Sequence, residues 1–178
     1  RSRSADPMSP VASTVSPILR MKRAFESTKK FAVQSSDLRW SVAPVALPVA
    51  KYLNETRLIA DLAKGSVPPV AVPAAERLAF LRRCKSGHKI DLAQLAIADV
   101  RVLHMPGELF VEYQLAAKQM QPKLNVTMAA YGDYGTFYIG TERAYSEGGY
   151  ETEPRSSNVA PEVEAVLMQG MRKLLLRN

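Results

Sequence analysis

The feature that most limits the possible folds is an alternation of strand-like and helix-like segments in the second half of the chain. Val100 to Leu103 is a short β-branched and apolar run, and Met105-Pro106-Gly107 interrupts it. Glu108 to Met120 then carries apolar residues close to a helical period, and Asn125 to Ala130 has the composition of a second buried strand. Because such alternation is typical of α/β domains, we predict an α/β fold with a mixed β-sheet flanked by helices.

The other segments extend this pattern. We predict a disordered basic tail over residues 1–16 and a single α/β domain over residues 17–178. Within the domain, the predicted helices are 17–30, 54–64, 74–85 and 160–176; the predicted strands are 38–47 and 90–97, the latter forming a hairpin with 100–103; and 66–73 is a proline-rich connector.

The charge is unevenly distributed along the chain. The formal net charge is +7, and residues 1–30 hold seven Lys or Arg against two acidic residues, so the first 30 residues carry +5 and the other 148 carry +2. No RNP, zinc-finger or helix-turn-helix pattern accompanies the basic segment, which argues against nucleic-acid binding. A solvated basic face or a site for anionic lipid headgroups is the preferred interpretation.

Composition excludes some classes of protein. An apolar content of 47% and a charged content of 23% are ordinary for a globular domain. No run approaches the roughly 18 apolar residues of a membrane span, and the N-terminal residues lack the apolar core of a signal peptide. Cys84 is the one cysteine, so no internal disulfide can form and the compartment stays undetermined.

The end of the second buried strand is the place where ligands are expected. Ends of strands in α/β sheets commonly form binding sites, and a tyrosine- and glycine-rich stretch follows Ala130. The residues alone predict Glu108 at the start of a helix, where a carboxylate matches the unpaired N–H groups and the positive end of the dipole.

The segment PGELFVE and, about thirty residues later, YGDYGTFYIGTERAYSEGGYE resemble the neutral/alkaline (non-lysosomal) ceramidase family, particularly bacterial ceramidase-like proteins. The upstream stretches LRWSVAPVALPV and IDLAQLAIADVRVLHMPGE also resemble that family. The resemblance runs from about Arg20 to the C-terminus. It implies a zinc amidohydrolase that cleaves the N-acyl bond of a sphingoid lipid, in a family whose members are often secreted or periplasmic.

The resemblance also implies two zinc ligands in this chain. The glutamate of the family's PGE motif falls on Glu108, and the tyrosine of its YIT-like motif falls on Tyr138. The family's other two ligands are histidines from an early part of the domain, and His88 and His104 match neither. We therefore expect the C-terminal part of a ceramidase-like domain, which carries half of a metal site.

Four further residues are candidates for supporting the metal ligands. His104 could bind the metal or could simply be packed or hydrogen-bonded. Glu112, four residues after Glu108, could orient a ligand from the same helix face or could form an ordinary salt bridge. Asp133 and Tyr134 lie in the turn after the second strand, where an ordinary tight connection explains them equally well.

Two functions of different classes follow. In the first, the chain is part of a zinc-dependent hydrolase of a lipid or other N-acyl substrate, and a preceding segment, a cleaved segment or another chain supplies the two histidines. In the second, it is a non-catalytic subunit of the same fold, which buries its sheet edge and apolar surface against a partner.

Overall fold

The computed structural model describes residues 16–30, 32–65, 68–132 and 135–176. The chain forms two units, Arg1–Ala32 and Val33–Asn178. In the first unit, helix α1 spans Pro17–Glu26, with Ser16 as N-cap and Pro17 at its first position. It begins where the sequence predicts and ends four residues before the predicted end at position 30. The predicted tail lies outside the described residues, except for Ser16.

The second unit is an α/β domain built on a four-stranded mixed sheet in the order β1-β2-β3-β5. The strands are β1 (Leu38–Val45), β2 (Ile90–Ile97), β3 (Val100–Pro106) and β5 (Asn125–Gly132). The β1–β2 and β2–β3 pairs are antiparallel, and β3–β5 is parallel. This arrangement confirms the predicted mixed sheet and the predicted hairpin through Ala98 and Asp99.

The second unit also contains helices, and those that pack on the sheet cover one face of it. The helices are α2 (Glu55–Ala63), α3 (Pro68–Lys85), α4 (Val111–Met120), α5 (Glu142–Glu147) and α6 (Val163–Leu175). Helix α6 packs on β1 and β2, and α4 packs on β5 and on α6. Helix α6 approaches the sheet closely at Gly170, where a Cβ atom would lie 2.4 Å from Leu92 Cδ1.

The opposite face of the sheet carries exposed apolar side chains. Leu38, Trp40 and Val42 alternate along β1 on this face and are 50%, 57% and 42% exposed. The inward positions of β1 and β2, such as Ala43 and Leu92, are buried in the core. Successive side chains of a strand point to opposite faces of the sheet, so one face is buried and the other exposes apolar side chains to solvent.

Helix α3 corrects the predicted connector over residues 66–73. The helix begins at Pro68 and contains Pro73. Pro68 and Pro69 lie in the first helical turn, where the N–H that proline lacks would have no partner, whereas Pro73 lies inside the helix. Leu78 and Leu81 are buried and Cys84 packs against the core.

A second sheet of two short parallel strands, β4 (Glu108–Leu109) and β6 (Tyr138–Ile139), corrects the predicted position of Glu108. Glu108 lies in a strand, and helix α4 begins later, with Phe110 as its N-cap. The predicted helix start at Glu108 was wrong because two residues after the Pro-Gly turn, Glu108 and Leu109, form a short strand before the helix begins. Among the described residues, no helix has the length and apolar character needed to cross a membrane.

Candidate functional site

The candidate site is built where β3, β5 and the β4–β6 ladder meet, and glycine at position 107 allows that meeting. Gly107 has φ +59°, and a Cβ atom there would lie 2.2 Å from Thr136 Oγ1 and 2.5 Å from the Phe137 carbonyl oxygen. Its N–H donates to the Gly132 carbonyl at 2.9 Å, and its own carbonyl accepts from the Tyr131 N–H at 2.7 Å. These bonds fix the turn after β3 against the end of β5.

Two residues around this junction adopt a backbone conformation that is rare for residues other than glycine. Tyr131 has φ +66° and Phe137 has φ +58°. Such positions cost about 1–3 kcal/mol each and are enriched at functional sites, where the surrounding structure holds them in place. The Phe137 carbonyl accepts from the Glu108 N–H at 2.9 Å, which starts the β4–β6 ladder directly after the strained residue.

Glu108 and Tyr138, the two predicted metal ligands, are direct partners in that ladder. The ladder continues with the Phe110 N–H, which donates to the Ile139 carbonyl at 3.1 Å. The Tyr138 N–H donates in turn to the Ser156 carbonyl at 3.0 Å, so β6 is also held by the segment before α6. Both side chains are half-buried and reachable from solvent.

The Glu108 carboxylate interacts with two phenols. Its negative charge is the largest cause that raises the pKa of Tyr138, and desolvation and the neighbouring Tyr150 add to that rise. The pKa of Tyr131 is raised mainly by a hydrogen bond to Glu108, then by desolvation. In both cases the carboxylate favours the protonated phenol, because a second negative charge beside it is unfavourable.

Sequence reasoning missed three residues of this cluster. The first is Tyr131, whose position as the residue after the predicted strand was the available signal. The others are Tyr150, whose ring centroid lies 6.0 Å from that of Tyr138 in an edge-on arrangement, and Arg155, whose guanidinium lies 5.2 Å from the Tyr150 ring centroid. No local pattern marks these two, since the chain from β6 to α6 must fold back to bring them close.

His104 lies on the exposed face of the sheet, opposite in direction to the buried Leu103 and Met105. Its ring centroid is 5.2 Å from that of Trp40, with the rings inclined at 53°. This contact corresponds to the packed alternative that the sequence left open.

Glu112 does not share a helix face with Glu108, because Glu108 precedes helix α4. Glu112 lies in the first turn of α4 and lines a groove of about 630 Å³ together with Arg143, Glu147 and Glu164. That groove runs between α4, α5 and α6. The structure therefore gives Glu112 a setting different from the one that the helical spacing predicted.

Asp133 and Tyr134, the other two candidates, lie outside the described residues. The described parts of the chain contain no group of three or more His, Cys, Asp or Glu side chains that could hold a metal ion.

The donors that are present suit part of a zinc site. The Glu108 carboxylate supplies oxygen ligands, and among the described residues no lysine or arginine forms an ion pair with it. The Tyr138 hydroxyl supplies a second oxygen from the adjacent strand. Catalytic zinc takes three or more protein ligands, so these two residues alone would not complete such a site.

The comparisons with known proteins return one structural similarity. No protein-family model matches the chain, and no curated protein matches it. A crystal structure of neutral ceramidase from Pseudomonas aeruginosa is similar to it at 15% identity and a TM-score of 0.43, over 81% of this chain and 28% of that chain. This chain thus spans less than a third of that ceramidase chain, and a similarity of this size assigns no residue and no activity.

Proposed function

We propose that this chain contributes the carboxylate and phenol ligands of a zinc site in an N-acyl amide hydrolase of the neutral ceramidase type. Two histidines from a segment or chain outside the described residues would complete the site. The substrate class is a lipid N-acyl amide of the ceramide kind.

One observation carries this proposal. The resemblance of two separated motifs selects Glu108 and Tyr138, and these residues are paired side by side in one parallel ladder. Nothing in the local sequence requires this pairing, since helix α4 and strand β5 both lie between the two residues in the chain. The independent selection by motif and by geometry supports a shared chemical role.

The chain's own residues have separate tasks in this proposal. Glu108 supplies the negative charge that attracts a cation, and the backbone bond from its N–H to the Phe137 carbonyl fixes the direction of its strand. Tyr138 supplies a phenol whose proton would be displaced on coordination, since a divalent cation lowers the pKa of the group that it binds. When bound, zinc would supply Lewis acidity, which activates water and polarises an amide carbonyl.

The test uses the chain produced together with its native histidine-bearing segment or partner chain. We expect about one zinc ion per complex by elemental analysis, as a single shared site with an open position for water implies, and hydrolysis of an N-acylsphingosine with a fluorescent acyl group. Glu108→Gln and Tyr138→Phe should reduce the zinc content and the rate of hydrolysis together.

Glu112→Gln is the matched control, because Glu112 is a glutamate of the same region that lines a different groove. It should leave zinc content and hydrolysis unchanged. Absence of zinc when every native partner is present would refute the hydrolase proposal. So would a Glu108→Gln complex that keeps its full zinc content.

A second function is favoured by the apolar outer face of the four-stranded sheet. Leu38, Trp40 and Val42 form an exposed apolar row on edge strand β1. Large exposed apolar patches mark interaction sites. In this alternative, the chain is a non-catalytic subunit whose sheet is covered by a partner.

Zinc analysis separates the two functions. The subunit alternative predicts a stable complex with the partner that contains no zinc and that Glu108→Gln does not weaken. It also predicts that Trp40→Ser disrupts the complex. The hydrolase proposal predicts that Glu108→Gln removes zinc and activity from a complex that still assembles.

A further inference from the structure

Helix α1 has an apolar face that lies in solvent. Ile18, Met21 and Phe25 are spaced by three and four residues, so they share one side of the helix. Their exposed fractions are 78%, 72% and 73%, and the helix contains no buried residue. A helix with this spacing normally buries its apolar side, so these three side chains are suited to an apolar binding surface.

The same segment concentrates positive charge. Arg20, Lys22 and Arg23 lie within the helix, and Lys29 and Lys30 follow it closely. Glu26 is the one acidic residue between positions 16 and 30. Lys22 forms an ion pair with Glu26 at 3.7 Å, so five cations and one carboxylate leave residues 16–30 with a net charge of +4.

The combination identifies the chemistry of the binding surface. The apolar side chains need a hydrocarbon environment, and the cations need anionic groups at its border. A bilayer with anionic headgroups offers both at once. Nucleic acid offers the anionic groups alone, and it would leave Ile18, Met21 and Phe25 in water.

We infer that α1 binds the surface of an anionic lipid bilayer, with its axis in the plane of the interface. Ile18, Met21 and Phe25 enter the boundary between headgroups and acyl chains. The basic residues contact the phosphates. This interaction goes beyond the zinc site and does not depend on it, since α1 and the β4–β6 ladder belong to different units of the chain.

The experiment measures sedimentation of the full chain with vesicles of two compositions. One is phosphatidylcholine alone, and the other is an equimolar mixture of phosphatidylcholine and phosphatidylglycerol. We expect binding to the mixed vesicles that weakens as salt is added, and much weaker binding to the neutral vesicles. Each basic residue near the surface contributes about five-fold to the partition constant.

Two triple variants test the basic residues and the apolar residues of α1 separately. Arg20→Gln, Lys22→Gln and Arg23→Gln together should weaken partition about a hundred-fold. Ile18→Ala, Met21→Ala and Phe25→Ala together should weaken it at least about ten-fold. Alanine has the highest helix propensity, so a loss in the second variant reports the apolar contacts and not the unfolding of α1.

The matched control is Val111→Ala with Leu115→Ala on helix α4, since these apolar residues are also exposed, at 64% and 52%. The control should bind vesicles as the parent chain does. Equal binding by the alanine triple variant of α1, or no binding to the mixed vesicles, overturns the inference. A DNA duplex that binds more tightly than the vesicles and is indifferent to the alanine variant also overturns it, in favour of a nucleic-acid site.

Discussion

Glu108 and Tyr138 are cross-strand partners in a parallel ladder of only two residue pairs. The carboxylate raises the pKa of the phenol, so the pair is electrostatically coupled as well as adjacent. Gly107 precedes the carboxylate and Phe137 precedes the phenol, and both preceding residues have positive φ. Each of the two candidate residues is thus preceded by a residue in the left-handed region.

The coupling predicts a change in the titration of two tyrosines. Glu108→Gln should lower the pKa of both Tyr138 and Tyr131 toward the ordinary value of 10.0, because it removes the negative charge that favours the protonated phenols. The measurement is an NMR pH titration of ring-labelled tyrosine, with resonances assigned by Tyr138→Phe and Tyr131→Phe.

The control for this titration is Glu112→Gln, which removes a carboxylate from a different groove and should leave both phenols unchanged. Unaltered tyrosine titration in Glu108→Gln would contradict the observed contact. The direction of the pH dependence of stability in the wild type also follows from these shifts. The raised pKa values contribute stability that is present below about pH 10 and is lost as the pH rises through the folded-state values.

Tyr52 should make the domain sensitive to alkaline pH. Desolvation is the main cause that raises its pKa to about 12, and Arg77 opposes that rise. Its hydroxyl donates to the Ser157 carbonyl and to Asn158 Oδ1. Because the folded-state pKa is above the unfolded-state value, the free energy of unfolding should fall as the pH rises from 10 to 12.

Urea unfolding of the wild type and of Tyr52→Phe across this pH range checks the expectation. Near neutral pH the variant should be less stable by about 1–3 kcal/mol, since the acceptors of the hydroxyl lose their donor. Its stability should then fall less steeply with pH than that of the wild type. Parallel curves for the two proteins would exclude Tyr52 as the source of the alkaline loss.

Gly107→Ala should destabilise the junction at the candidate site. The new Cβ would lie 2.2 Å from Thr136 Oγ1 and 2.5 Å from a backbone oxygen, at φ +59°. Backbone strain alone costs about 1–3 kcal/mol, and the clash with a fixed carbonyl adds to it. Urea unfolding measures the loss.

Gly87→Ala is the matched control for this substitution. Gly87 also has positive φ, at +79°, yet nothing lies within 4 Å of its ideal Cβ position. Its variant should therefore show the conformational cost of about 1–2 kcal/mol without the clash. Equal losses in the two variants would show that the close approach at Gly107 does not contribute.

Gly170→Ala should destabilise the domain although alanine favours helices by about 1 kcal/mol over glycine. The added methyl would lie 2.4 Å from Leu92 Cδ1 and 3.3 Å from Val45 Cγ1, in a contact between α6 and the sheet. Overpacking of a well-packed core costs about 1–3 kcal/mol. Thermal unfolding should show a lower midpoint for the variant.

Leu92→Val tests whether crowding against Leu92 causes the loss of stability in Gly170→Ala. Combined with Gly170→Ala, it removes a methylene group where the new methyl is added, so the double variant should be less destabilised than the sum of the two single variants. Additive losses would mean that the two positions do not compete for the same space.

The sequence by itself determined several of the local elements of this protein. Helical spacing and capping residues located α1, α2 and α6, and the Asn54 side chain accepts from the Arg57 N–H as its cap position predicts. Alternation of apolar residues located the β2–β3 hairpin. These features succeed because they depend on interactions between residues that are close in the chain.

The junction at the site was decided only by the tertiary structure. The Pro-Gly pair marked a turn, yet it did not reveal that Glu108 pairs with Tyr138 as a strand or that Glu112 faces a different groove. The same holds for Tyr131, Tyr150 and Arg155, which reach this region through separate segments. A two-residue strand has no period to detect, and its pairing depends on contacts between distant parts of the chain, which the folded sheet alone brings into register.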